Sequence, residues 1–493
     1  MAVPVPDLQE RADACAARLQ EAESVLVASH IDADGLTSAA IAATALDRAG
    51  IPFEVVFEKQ LDADAVASIS AREEKTVLFT DFGSGQLETI TAHEAAGEFT
   101  PVIADHHQPA DVDGQRSSAG GTSSRAVDTE YHLNPLLVGI DGASELSGAG
   151  AAYVLARALA GEGTTDDPER DNRDLAALAV VGAVGDMQAI GGELVGANAA
   201  VVSEGVAAGV LEEGTDLTLY GKQTRPLPKL LEYATDVSIP GVSGDEAGAI
   251  RFLRDIDVEA RRDGEWRRWA DLTDDERRTL ASALVQRAVE RGVPAAKIDR
   301  LVGTTYTLLA EPAGTELRDA SEFSTLLNAT ARYERADVGL AVCLGDRDDA
   351  LRRARTLLSN HRRNLSEGLE WVRRNGVTTE QHLQWFDAGD AVRDTIVGIV
   401  AGMAVGTDGV DGDRPIVAFA HKNDEEAKVS ARGTGYLVGR GLDLSAVMGE
   451  AARAVGGDGG GHDVAAGATI PADARDAFVE RADALVGEQL DDE

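Results

Sequence analysis

Of the 493 residues, 85 are acidic and 46 basic, a formal charge of −39 spread along the chain with only a short acidic run at 490–493. Two cysteines, Cys15 and Cys343, imply no disulfide framework and suit a reducing cytoplasm, where each reads as a small buried hydrophobe. The longest apolar stretches are short or interrupted, and the N-terminus lacks the pattern of a signal peptide, so no membrane span and a cytoplasmic location are expected.

Residues 7–23 read as a leading helix, followed by alternation of strands and helices to about Gly163. Val25–Ser29, Thr76–Thr80 and Val102–Ala104 are short, apolar and bounded by polar or glycine residues, the pattern of buried strands. Leu36–Ala49 and Leu61–Ala71 read as helices and Phe53–Phe57 as a strand. Each of the three buried strands delivers Asp or His at its carboxyl end: His30, Asp32 and Asp34 in "SHIDADG", Asp81 in "FTDFG", and Asp105, His106 and His107 in "ADHH". Ligands of open α/β sheets bind at that end.

A polar loop at 111–125 lies beside this group and reads as a lid. A helix follows at 144–159 with Ser147 as its N-cap, then a turn at 161–172, and another helix ends at Asp186. Residues 245–300 have helical period and many charges, the pattern of an inserted helical element. Asp346–Asn375 reads as a long helix and 380–475 as a second α/β domain. Within it, Gly456, Gly457, Gly459, Gly460 and Gly461 precede His462, a backbone able to turn tightly and expose N–H groups to an anion.

Six of these side chains, His30, Asp32, Asp34, Asp81, His106 and Asp186, suffice for two divalent ions sharing a carboxylate. The four carboxylates among them carry −4 if ionised and two divalent ions carry +4; without metal they should not all stay ionised. Oxygen ligands favour Mg2+ or Mn2+, and added imidazole moves the preference toward Mn2+ or another transition metal. Singly, an Asp after a strand is often only a helix cap, and a Gly-Asp pair after a helix an ordinary terminus.

The order H-x-D-x-D-G, a lone Asp, Asp-His-His and Gly-Asp-Met resembles the DHH phosphoesterase superfamily. "VSARGT" (429–434) and "GGDGGGHDVAAGATI" (456–470) resemble the DHHA1 accessory domain of its RecJ branch, and 322–346 is similar to a segment of archaeal RecJ-like proteins. The resemblance implies an α/β fold, with a parallel-sheet DHH domain (1–240), a helical connecting segment (241–375) and a smaller α/β DHHA1-like domain (376–493). It implies that His30, Asp32 and Asp81 hold one metal and Asp34, Asp81, His106 and Asp186 the other. Asp81 then bridges. A bridged pair roughly 3.5–4 Å apart stabilises the attacking and leaving oxygens of an in-line displacement at phosphorus. His107 would meet the scissile phosphate, Asp105 would orient an imidazole, and Arg432, Gly459, Gly460, Gly461 and His462 would bind the strand next to the scissile bond. Asn328 and Arg332 are weaker candidates for the same task.

The activity implied is a metal-dependent phosphodiesterase of the RecJ-like exonuclease type, acting on single-stranded DNA or RNA. Two other activities use the same motifs or fold: hydrolysis of short oligonucleotides or cyclic dinucleotides, and a replication scaffold, since archaeal relatives associate with the GINS complex and a eukaryotic helicase component shares the fold. A nucleic-acid binder is expected to carry a basic patch, and this chain has none overall. Acid spread so evenly suits a salt-rich, halophile cytoplasm, where the Debye length falls to about 3 Å at molar salt and counterion release contributes little. Binding would then rest on metals, hydrogen bonds and local Arg clusters, at 261–269 and 351–365, which read equally as solvated helix faces.

Overall fold

The computed structural model describes residues 3–110, 129–160, 167, 169–189, 191–234, 237–407 and 409–490. The loop at 111–125 and most of the turn at 161–172 lie outside the described residues. The chain forms two compact units, Met1–Arg355 and Thr356–Glu493.

The first unit is built on a five-stranded parallel sheet of β1 (Val25–His30), β2 (Phe53–Glu58), β3 (Thr76–Thr80), β4 (Thr100–Ala104) and β5 (His132–Leu133), in the order β2-β1-β3-β4-β5. In β1, β3 and β4 the apolar side chains are buried on both faces, which is why these strands read as continuous apolar runs rather than alternating ones. The helices are α1 (Gln9–Gln20), α2 (Ala33–Ala49), α3 (Ala63–Ser70), α4 (Leu87–Ala95), α5 (Gly148–Leu159), α6 (Ala176–Gly185) and α7 (Gly196–Ala207). Small residues line α2 and α5, so their axes approach closely, and Ser147 caps α5 by accepting the Gly150 N–H.

The rest of this unit comprises β6 (Leu211–Leu217), α8 (Leu227–Glu232), α9 (Glu246–Arg254), β7 (Arg261–Arg262), β8 (Glu265–Trp266), α10 (Asp274–Glu290), α11 (Ala295–Ile298), β9 (Val302–Leu308), α12 (Ala320–Arg332) and α13 (Ala336–Cys343). Strands β6 and β9 pair antiparallel, and the helices between them enclose a separate core around Leu227, Leu253, Trp269 and Leu284. The Arg- and Trp-rich stretch at 261–269 is not a helix face, and of its four arginines only Arg267 is buried, Arg261 and Arg262 being exposed. It is a hairpin, β7 with β8, leading into that core: Trp269 is buried with its indole N–H on Asp216, and buried Arg267 pairs with Glu276 at 2.6 and 2.8 Å. Burying Trp269 and Leu272 draws the neighbouring Arg in with them, and a buried guanidinium needs its carboxylate.

Helix α14 (Asp349–Asn375) begins in the first unit and continues into the second. The second unit contains β10 (Thr378–Thr379), β11 (Gln384–Asp387), α15 (Val397–Ala404), β12 (Ile416–His421), β13 (Glu426–Arg432), α16 (Gly435–Gly439), α17 (Leu444–Ala454), β14 (Asp458–Gly461), β15 (Ala465–Pro471) and α18 (Arg475–Leu490). Its sheet runs β10-β11-β12-β13-β15-β14, with only β11 and β12 parallel. Among the described residues no helix is long and apolar enough to cross a membrane.

Candidate metal centre

His30 closes β1, Asp81 follows β3 and Asp105, His106 and His107 follow β4, so three adjacent parallel strands bring their polar ends to one edge. Asp32 caps α2, accepting the Gly35 N–H at 3.0 Å. Asp34 is buried, and its two oxygens accept the N–H groups of Gly148 (2.7 Å) and Ala149 (3.0 Å), the positive end of α5. Asp186 follows α6 at its C-cap. Asp81 is held at a φ of 60°, a left-handed conformation that Asp and Asn tolerate best among residues with a Cβ.

These positions gather the six side chains into two clusters that share one carboxylate. Asp81 Oδ2 lies 3.6 Å from His30 Nδ1, which is 3.1 Å from Asp32 Oδ2. Asp81 Oδ1 lies 3.2 Å from His106 Nε2, which is 3.7 Å from Asp34 Oδ2 and 3.8 Å from Asp186 Oδ2. Whether a cation suits the second cluster is tested by His106 itself. Its Nδ1–H donates to the Gly142 carbonyl at 2.7 Å, which leaves Nε2 as the lone-pair nitrogen of the neutral ring. That Nε2 is buried without a hydrogen bond and faces three carboxylates. Such an arrangement is repulsive unless a proton or cation lies between the groups, and the donor set suits a divalent ion.

The ionisation of the group agrees. Burial, then the charges of Asp81 and Asp186, hold Asp34 well above the usual carboxylate range, and burial pushes Asp186 up to about 6. Burial would also raise Asp81, but the imidazoles of His106 and His30 outweigh it and hold its carboxyl low. Burial opposes a charge on His30, yet Asp32 and Asp81 push it up to about 11. Protons therefore occupy positions that a metal would take, and a metal must displace them. Below the raised pKa of His30 the proton competes, so affinity rises with pH, by about tenfold per unit for each proton displaced. Calorimetry with Mn2+ from pH 6 to 8, in buffers of different ionisation enthalpy, is expected to show tighter binding and proton release as pH rises; a pH-independent affinity would contradict the assignment of His30.

Asp105 is buried beside the clusters, but its oxygens are already engaged. Oδ1 accepts the backbone N–H of His106 (2.7 Å) and His107 Nδ1–H (2.8 Å), and Oδ2 accepts the Ser84 N–H (2.9 Å). Its hydrogen bond raises the His107 pKa and turns Nε2 of that half-exposed ring away from Asp105.

Several contributors have no sequence signal of their own. Gln188 donates to Asp186 Oδ2 (2.8 Å) and the Gly142 carbonyl (2.9 Å) and accepts from Asn198 (2.6 Å), fixing Asp186 against His106. A Cβ on Gly148 would come within 2.5 Å of Asp81 Oδ1, and one on Gly182 within 2.4 Å of Asp34 Oδ1. Asn328, a weaker candidate for strand binding, instead accepts the Ala33 N–H at the start of α2, and Arg332 is exposed.

In the second unit, Gly459, Gly460 and Gly461 form the edge strand β14 rather than the turn expected from the glycine run. Close packing explains two of the glycines, since a Cβ on Gly459 would lie 2.8 Å from the Met448 carbonyl of α17 and one on Gly457 2.3 Å from that of Thr469, and Gly456 and Gly461 take a positive φ. Gly460 meets nothing within 4 Å, and exposed His462 donates its N–H to the Ala465 carbonyl at 2.9 Å as the chain turns into β15. Arg432 ends β13, its guanidinium so near α15 that a Cβ on Gly398 would lie 2.6 Å away. Half-buried Lys428, which the sequence pattern did not single out, shares its face of β13 with Ser430 and Arg432.

Three family models match: the DHH family N-terminal domain at 24–182, the DHH-CID domain at 219–302 and the DHHA1 domain at 382–488. The chain is 30% identical over 469 residues, 94% of each chain, to MJ0831, an uncharacterized protein of Methanocaldococcus jannaschii. Its fold is similar to that of RecJ from Thermus thermophilus in complex with Mn2+, at 18% identity and a TM-score of 0.58; the match covers 99% of this chain but 56% of that RecJ. A further exonuclease RecJ bound to manganese matches at 18% identity and a TM-score of 0.56, over 99% of this chain and 96% of that one. Cdc45 from Entamoeba histolytica matches at 9% identity and a TM-score of 0.62, over 97% and 98%.

Proposed function

Because the chain belongs to the DHH/DHHA1 superfamily of RecJ-like proteins, we propose that it is a metal-dependent phosphodiesterase that removes nucleotides from an end of single-stranded DNA or RNA. The observation that carries the reading is Asp81, whose two oxygens each face a different histidine, with Asp32 beside one and Asp34 and Asp186 beside the other. Two divalent ions, Mn2+ by preference and Mg2+ otherwise, would supply the positive charge that stabilises an in-line displacement at phosphorus. His30, Asp32 and Asp81 would hold one, and Asp34, Asp81, His106 and Asp186 the other.

His107 then serves the phosphate. Its Nδ1–H is fixed on Asp105, which favours the imidazolium and leaves Nε2–H free to donate to an oxygen as negative charge grows there. The second unit supplies the surface for the rest of the strand, through Arg432, Gly459, Gly460, Gly461 and His462, with contacts to phosphate and sugar that read no sequence. The division into a DHH domain at 1–240, a connecting segment at 241–375 and an accessory domain at 376–493 belongs to the same reading, as do a cytoplasmic site of action and a role in DNA replication, repair or RNA turnover.

The likeness of fold to Cdc45 favours a second reading, a replication scaffold, for which the sequence resemblance implies a GINS complex as partner. Against it stands the complete set of carboxylates and imidazoles, which a scaffold has no need to keep. End-labelled single-stranded DNA, RNA and a dinucleotide, compared at high salt with Mn2+, decide the matter. Stepwise shortening of the long strands is the expected result. Turnover of the dinucleotide alone would indicate a short-oligonucleotide phosphodiesterase, and inertness toward all three a scaffold.

A further inference from the structure

Met187 follows Asp186 directly, its Cα about 3.8 Å from that of the carboxylate residue. Its side chain is 88% exposed, more than any other large hydrophobic side chain among the described residues. Its backbone is left-handed, with a φ of 60°, as the residue after the C-cap of α6. The segment is nevertheless firmly held: the N–H groups of Asp186, Met187 and Gln188 donate to the carbonyls of Gly182, Val184 and Ala183, and the Gln188 side chain is buried in the network with Asn198. Asn or Gly would take the left-handed conformation more easily, and either would hydrate better than a thioether. The bonds from Met187 to Val184 and from Gln188 to Ala183 are the pattern that ends a helix on a left-handed residue, so the backbone of Met187 belongs to the end of α6, and its exposed thioether beside Asp186 is the feature left to explain.

We propose that Met187 is a positioning residue whose side chain packs on the nucleoside flanking the phosphate engaged at the metal centre. The inference rests on the reading of that centre as a nucleic-acid phosphodiesterase. A ligand brought to Asp186 by its phosphate carries a sugar and a base within a few ångströms, and both have apolar, polarisable faces. A thioether on three rotatable bonds conforms to any of them, which suits a strand held without regard to sequence. Aromatic residues, the usual partners for stacking, make up only 4% of this chain. The two exposed tyrosines, Tyr233 and Tyr436, are not adjacent in sequence to any of the six metal-centre residues.

The test uses the whole protein with Mg2+ and a phosphorothioate-linked oligothymidylate that resists hydrolysis. Binding is followed by fluorescence anisotropy, and peroxide oxidation of Met187 to the sulfoxide by mass spectrometry. The expected result is that bound oligonucleotide slows oxidation of Met187 by about fivefold or more. With cleavable oligonucleotide, Met187→Ala is expected to raise KM by about fivefold with a smaller change in kcat, and Met187→Leu to restore KM to within about twofold, since leucine returns the apolar contact. Oligonucleotide that binds while Met187 oxidises at the free rate would overturn the role of Met187 and leave the phosphodiesterase reading standing. Absence of binding would overturn both. Loss of Mn2+ affinity in Met187→Ala would show that the residue only supports Asp186, and that too would overturn the proposal.

Discussion

Asp81→Asn is expected to lower hydrolysis of single-stranded substrate by on the order of a thousandfold or more while leaving the fold intact. Every other candidate ligand serves one cluster, whereas the oxygens of Asp81 face both, Oδ2 toward His30 and Oδ1 toward His106. An amide has a single oxygen and no charge, so both clusters lose one anionic member and at least one of them an oxygen ligand. Asparagine is the informative replacement because it keeps the shape of the side chain and tolerates the φ of 60° found at this position. In metal-free protein the substitution also removes the carboxylate that the imidazoles of His30 and His106 stabilise in the folded state, so thermal stability near neutral pH should fall modestly. Calorimetric titration with Mn2+, a melting curve and the end-labelled strand assay check the three statements, and substantial hydrolysis by the variant would refute the shared-carboxylate arrangement.

Gly148→Ala is expected to be nearly as damaging, although it deletes no functional group. The added Cβ would sit 2.5 Å from Asp81 Oδ1, 2.8 Å from its Cβ and 2.9 Å from its Cγ. Neither side can yield freely, because Asp81 is buried and its N–H donates to the Ala104 carbonyl, while the Gly148 N–H donates to Asp34. Relief of the clash must move a carboxylate or the start of α5, with a stability loss of about 1–3 kcal/mol and a fall in Mn2+ affinity of about 10–100-fold. Gly214→Ala, where a Cβ meets nothing within 4 Å, is the control and should change stability by no more than about 0.5 kcal/mol. Wild-type Mn2+ affinity in Gly148→Ala would show that the site is looser than the packing indicates.

The two substitutions differ in what announces them. Asp81 is visible in the chain as a carboxylate closing a run of apolar residues, and the same reading finds His30 and the Asp105–His107 group. The start of α5 is visible too, since Ser147 precedes a helical pattern. That Gly148 must be glycine is not visible, because the atom it would strike lies 67 residues away in sequence, from Gly148 to Asp81. Gln188 and Asn198 are hidden for the same reason: a single amide looks alike in a network and on a surface.

At the glycine run 456–461 and the Arg–Trp stretch 261–269, a local pattern also carries a tertiary role that the sequence does not announce. In the first, Gly459 is called for by the Met448 carbonyl of α17 and Gly457 by that of Thr469, while Gly456 and Gly461 take a positive φ. In the second, Trp269 is drawn into a core and Arg267 into an ion pair with Glu276, while Arg261 and Arg262 stay exposed.

What the chain determined by itself is therefore β1 to β4 and α1, α2, α3, α5 and α6 of the first unit, and the candidate set of six side chains beside them, because periodicity and strand-end position are short-range properties. The tertiary structure decided how they combine: the two-sided use of Asp81, the N–H groups of α5 on Asp34, the burial of an unbonded His106 nitrogen, and the exposure of Met187. Each of these depends on segments far apart in the chain meeting at contact distance, and the rules of local sequence do not reach that far.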